Sequence, residues 1–171
     1  ITIETDSTEQ EVQLSGDSLD SSYISVGWGD GRIDTITGIN DPLLTHTYEN
    51  AGTYEIHISG SIPNANLPIS SHKLLVKSIN QLGDIGWTNL SGFNEYSNMT
   101  SFTFGETDIS LVDSMGGMFS GLTALEFVDF GSLDTSSIRN TESIFYNCVS
   151  LTELDLSNFD TSSVTGMQNM F

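Results

Sequence analysis

Three aspartates, Asp108, Asp134 and Asp160, lie 26 residues apart, each followed two positions on by a serine (Ser110, Ser136, Ser162). Stacked carboxylates beside turn carbonyls are hard oxygen ligands of the kind Ca²⁺ takes, so this column is the first candidate for metal chemistry. The competing reading is structural: an Asp that bonds backbone just ahead of it caps its own turn. A calcium loop normally brings several acidic ligands close in sequence, so capping is the favoured reading and no metal is required. The same choice, with the same preference, applies to Asp30, Asp34 and Asp41.

Nucleophiles and bases are sparse. His46, His57 and His72 are scattered, and Cys148 is the single cysteine. An enzyme needs a nucleophile, a base and a stabiliser that converge. The sequence has no phosphate loop, nucleophile elbow or His-Glu metal motif, and with 23 acidic residues carboxylate pairs carry no information. The expectation is a non-enzymatic chain without a required cofactor. Cys148 falls in one column with Tyr96 and Leu122 and reads as a small core residue. Met115, Met118, Met167 and Met170 have the spacing of core positions rather than of a metal-binding cluster.

Binding is the remaining chemistry. If the repeats carry short strands, Ser101, Thr103, Phe127, Asp129, Glu153 and Asp155 point outward by register. A phenylalanine among carboxylates suits a protein or glycan partner, and the alternative is an ordinary solvated face. Four Lys and Arg against 23 Asp and Glu give a formal charge of −19. Such a balance disfavours nucleic acid and anionic lipid. No apolar run approaches the ~18 residues of a membrane span.

The elements that would position these residues fall into two parts. Up to residue 79, apolar residues alternate with polar ones: Ile1 and Ile3; Val12 and Leu14; Ile24, Val26 and Trp28; Tyr54, Ile56 and Ile58; Leu74 and Val76. Turn clusters separate them at Ser15–Ser22, Gly29–Gly31, Asn40–Pro42, Glu49–Gly52 and Pro63–Pro68. Short alternating strands at this spacing predict a β-sandwich, with Trp28 as its central residue.

From residue 99 the chain repeats with a period of 26. Met99, Leu125 and Leu151 align; so do Phe102, Val128 and Leu154; Phe104, Phe130 and Leu156; Val112, Ile138 and Val164; and Phe119, Phe145 and Phe171. A fixed period of this length predicts a solenoid in which each coil buries its apolar edge only by stacking on its neighbours. Leu151–Leu156 should form a short parallel strand, and Val164–Phe171 a helical or 3₁₀ turn behind it. Stepping back one period from Phe119 reaches Phe93, which places a degenerate capping turn at 80–98. The chain opens at Ile1 without Met and stops inside a repeat at Phe171, so a processed fragment with further coils is expected.

Two resemblances sharpen this reading. Val26-Gly27-Trp28-Gly29-Asp30-Gly31, then His46-Thr47-Tyr48, then Ala51-Gly52-Thr53-Tyr54 resembles the PKD family, whose pattern is W/F-G-D-G, H-T-Y and G-T-Y. Residues 151–171 resemble the repeat of BspA-like leucine-rich surface proteins almost throughout, and residues 99–150 follow it with variations. The resemblances imply a mainly β chain: a PKD-like, Ig-like sandwich over 1–79 and three leucine-rich repeats over 99–171, truncated at the C-terminal end. They imply an extracellular, adhesin-like surface protein that meets host or neighbouring-cell proteins or glycans through its solenoid strand face, with the sandwich as spacer. The alternatives are a self-associating structural subunit of a surface layer, filament or virion, and an accessory module of a secreted degradative enzyme.

Overall fold

The structure, a computed structural model, describes residues 1–14, 23–38, 40–60, 72–83, 86–91 and 93–171. The turn clusters expected at Ser15–Ser22 and Pro63–Pro68 lie outside the described residues. The fold is mainly β. Its strands are β1 (Thr2–Thr5), β2 (Gln10–Gln13), β3 (Ile24–Gly27), β4 (Ile33–Ile36), β5 (Thr45–Tyr48), β6 (Gly52–Glu55), β7 (His57–Gly60), β8 (Val76–Ile79), β9 (Ser101–Thr103) and β10 (Phe127–Asp129). Among the described residues helix is confined to single 3₁₀ turns at Pro42–Leu44, Lys73–Leu75 and Phe93–Glu95.

The strands of the first part form where apolar and polar residues alternate, because successive side chains point to opposite faces. Ile3, Val12, Leu14, Ile24, Val26, Trp28, Ile36 and Tyr48 are buried in one cluster. β4-β3-β7 form one antiparallel sheet and β2-β5 an antiparallel pair. The alternating run from Thr53 to Ile58 is divided rather than continuous. Up to Glu55 it pairs with β1, and from His57 it pairs with β3. Buried Ile56 marks the change of sheet, its amide held by the Ile1 carbonyl at 2.8 Å. Leu74 departs from expectation. It lies in the 3₁₀ turn and is exposed, and the strand begins only at Val76.

The Gly29–Gly31 corner requires glycine at its first position. Gly29 has φ +89, and a Cβ there would stand 2.7 Å from the backbone of Glu55. Asp30 closes the corner by accepting the Arg32 amide at 3.0 Å.

The second part is built of stacked units whose backbones bond to equivalent positions in the next unit. In front, β10 pairs with β9 in parallel, Phe127 opposite Ser101 and Asp129 opposite Thr103. Behind, Met115, Gly117, Phe119 and Gly121 donate to the carbonyls of Asn140, Glu142, Ile144 and Tyr146, and Thr141, Ser143 and Phe145 donate to Gly166, Gln168 and Met170. Left-handed backbone recurs with the period: Gly117, Ser143 and Asn169 share one such column, Gly121 and Asn147 another.

Two expectations for the repeats need correction. The back of each unit is a chain of turns closed by single i→i+3 bonds, such as Met118 to Met115, and forms no continuous helix. Met167 is exposed there rather than buried. Leu151–Leu156 forms no strand, although its facing is as expected: Leu151, Leu154 and Leu156 are half-buried and Thr152, Glu153 and Asp155 are exposed. At the end of β9 and β10 the chain turns through Gly105 and Gly131, both left-handed. The equivalent residue is Ser157, which does not take that conformation. This segment turns without a left-handed residue there and makes no ladder with β10.

The two parts share one sheet. Its order is β10-β9-β8-β1-β6, with β8 antiparallel to β1 on one edge and parallel to β9 on the other. β8 thus supplies the strand of the first stacked unit, which Leu82, Trp87, Leu90, Phe93 and Tyr96 complete as buried residues.

Candidate functional site

The aspartate column caps turns. Asp108, Asp134 and Asp160 accept the amides of Ser110, Ser136 and Ser162 at 2.8, 3.0 and 2.7 Å. Asp129 and Asp155 do the same for Gly131 and Ser157 at 2.8 and 2.9 Å. Each bond favours the ionised acceptor. The Ser110 amide holds Asp108 below the usual carboxylate range, the Ser136 hydroxyl and amide lower Asp134, and the Ser162 amide lowers Asp160. Among the described residues no group of three or more His, Cys, Asp or Glu is placed to hold a metal ion.

Asp30, Asp34 and Asp41 have separate partners. Asp41 caps the Pro42–Leu44 turn through the Leu43 amide at 3.0 Å and also receives the Thr37 amide at 2.9 Å. Asp34 accepts the Trp28 indole N–H at 2.9 Å and pairs with Arg32 at 2.8 Å. Asp30 meets His46 Nε2 at 2.8 Å. Burial pushes the Asp30 carboxyl up, and the Arg32 amide together with His46 outweighs it, so its pKa lies below the ordinary value.

His46 is part of a buried aromatic stack. It lies flat on Trp28 with centroids 4.6 Å apart and meets Tyr48 edge-on at 4.6 Å. The Tyr48 hydroxyl donates to the Trp28 carbonyl at 2.8 Å, and burial raises its pKa. Trp28 is buried, as the alternation of the sequence leads one to expect. Alternation does not reveal that Trp28, His46 and Tyr48 form one stack tied down by Asp30 and Asp34. Cys148 is buried, donates to the Phe119 carbonyl at 3.0 Å, and has its thiol pKa pushed up by burial.

The outward positions of the repeat strands form the candidate interaction face. Ser101, Thr103 and Asp129 are partly exposed, Glu153 and Asp155 exposed, and Phe127 is 52% exposed. Phe127 and Asp129 on β10 share a groove of about 690 Å³ with Glu153, Leu154 and Asp155. Sequence register found these residues but not the groove, which exists because residues 151–156 do not pair with β10. Residues 99–171 carry ten carboxylates and one cation, Arg139, so the face is strongly anionic. Among the described residues no helix is long and apolar enough to cross a membrane.

No curated protein and no solved structure matches the chain. Residues 88–171, the stacked units together with most of the turn that precedes them, match the model of a family described as Mycoplasma protein of unknown function, DUF285.

Proposed function

We propose that this chain is a non-enzymatic interaction module of an extracellular surface protein, in which a BspA-like leucine-rich solenoid follows a PKD-like sandwich. The observation that carries the reading is the anionic front of the stacked units, where Phe127 stands exposed among Asp129, Glu153 and Asp155. Repeat stacks commonly bind along such a strand surface, and an exposed aromatic ring surrounded by polar groups has the composition of a contact residue. The family match over 88–171 supports the repeat assignment. The first part acts as a spacer whose sheet fixes the direction in which that front points.

The test is a binding screen of the chain against extracellular-matrix proteins, glycans and itself, with and without calcium. Saturable binding that disappears in Phe127→Ala and Asp155→Ala supports the reading. Association only with itself would replace it with a structural subunit, and binding indifferent to both substitutions would move the site elsewhere.

A further inference from the structure

The sheet shared by the two parts carries one row of side chains across all five strands. Phe127 lies opposite Ser101, Ser101 opposite Ser78, Ser78 opposite Thr2, and Thr2 opposite Glu55. The adjoining residues on the other side of the pleat, Val128, Phe102, Ile79 and Ile3, are buried, so the row looks outward. Asp129 beside Thr103 and Glu4 beside Thr53 extend the same face. Asn80 joins it, donating to Thr2 Oγ1 at 3.0 Å and to Glu55 Oε1 at 2.6 Å while accepting the Ser78 hydroxyl at 2.6 Å.

The composition of this face selects a class of partner. Its middle is hydroxyl and amide: Thr2, Ser78, Asn80, Ser101 and Thr103. Each hydroxyl can both donate and accept. A protein interface is anchored by apolar or aromatic side chains at its centre. Here the one large apolar side chain among the outward strand positions is Phe127, and it stands on the rim strand. A sugar asks for the reverse: one ring to lie against the C–H face of a pyranose, with donors and acceptors beside it for the hydroxyls. Charge narrows the class. Lys77 is taken up by Glu4 at 3.2 Å. Glu55 and Asp129 stand on the two rim strands, β6 and β10, so an anionic polymer meets repulsion. Neighbouring strands lie about 4.8 Å apart, which makes the row about 19 Å long, and a β-linked pyranose chain advances by close to one strand spacing per ring.

We propose that the outer face of the shared sheet binds a neutral, linear, β-linked polysaccharide laid across the strands, with one ring on Phe127 and the following rings over Ser101, Ser78 and Thr2. The proposal rests on the reading of the front as an interaction surface. It goes beyond that reading in naming the ligand class and in making β8 and β1 contributors to the site as well as support for it.

The probes are cello- and chito-oligosaccharides of two, four and six rings, titrated onto the 171-residue chain by isothermal calorimetry, with β-linked oligomannuronate of the same lengths as the anionic comparator. One of the two neutral series is expected to bind, about tenfold more tightly with four rings than with two and with little further gain at six, because the row holds about four rings. Phe127→Ala should weaken the four-ring ligand about tenfold through loss of the ring contact. Ser101→Ala with Thr103→Val should do so by about the same factor, for two lost hydrogen bonds. Thr2→Val should cut the gain from two rings to four by about fivefold. Oligomannuronate should not bind. The proposal is overturned if neither neutral series binds, if four rings bind no better than two, or if oligomannuronate binds equally well. A matrix protein that binds the chain and is lost in Phe127→Ala, while neither sugar series binds, overturns the glycan assignment and leaves the broader interaction reading standing.

Discussion

In residues 1–79 the rings of the buried stack carry polar groups, and all but His46 Nδ1 are bonded. Trp28 donates to Asp34, Tyr48 donates to the Trp28 carbonyl, and His46 is held by Asp30 while lying on Trp28. In residues 99–171 the rings, apart from the exposed Tyr146, are phenylalanines without polar handles, several of them stacked on their own equivalents. Phe104 lies on Phe130 at 5.0 Å, Phe119 on Phe145 at 5.6 Å, and Phe145 on Phe171 at 5.9 Å. The first arrangement is unique to its place, because each bond needs one partner in one geometry. The second extends by repetition, because every unit offers the next the same ring and the same carbonyls. The first part specifies one core, and the second specifies a direction of growth.

The largest effect that separates the two is expected from Trp28→Ala. It removes a fully buried ring, takes the indole donor from Asp34 and the stacking partner from His46, at a cost of about 3–5 kcal/mol. Denaturant unfolding measures this. Because the parts share a sheet through β8, the loss should appear in one cooperative transition rather than as early melting of residues 1–79 alone. Two separated transitions would break the account of the junction.

Tyr48→Phe should cost less, about 1–3 kcal/mol, since it keeps the ring but removes the donor to the Trp28 carbonyl. A loss below 0.5 kcal/mol would show that the hydroxyl is dispensable. Its counterpart in the repeats is Thr135→Val. The buried Thr135 hydroxyl accepts the Asp160 amide of the next unit at 2.8 Å, and its removal should cost about 1 kcal/mol. A neutral result would mean that ring stacking alone sets the register between units.

The smallest effect concerns the aspartate column. The pKa values of Asp108, Asp134 and Asp160 are lowered in the folded chain. Their stabilisation is therefore complete above the ordinary carboxylate pKa of about 4, and is lost as pH falls through the lowered values. Replacing all three with Asn, which keeps an acceptor oxygen, should leave neutral-pH stability nearly unchanged and flatten the acid limb of a melting-temperature profile. A chelator should not move that temperature if these residues cap turns. A clear drop on chelation would make the column a calcium site.

What could be read from the sequence and what could not divide along physical lines. A period of 26 residues fixed which side chains face inward, so Phe102, Phe119 and Cys148 are buried as expected. Facing is a local property. Pairing is not, because it depends on the neighbour. Alternation through Thr53–Ile58 therefore could not reveal that the run serves two sheets, and the leucines of 151–156 could not reveal that no ladder forms there. The groove at β10 was hidden for the same reason. Ser157 stands where the other units have Gly105 and Gly131, but Ser143 takes left-handed backbone elsewhere in the stack, so that difference alone does not mark the groove. Similarly, β8 reads as the last strand of the first part, yet it is also the first strand of the second.

That double use of β8 has a mechanical consequence. Tilting the first part relative to the stack requires tearing the pairs that join Ser78 to Ser101 and Ile79 to Phe102, because no slack segment lies between β8 and β9 across the sheet. A pull on one part is transmitted to the other as torque on a stiff lever, so the load reaches the front of the stacked units with its direction preserved.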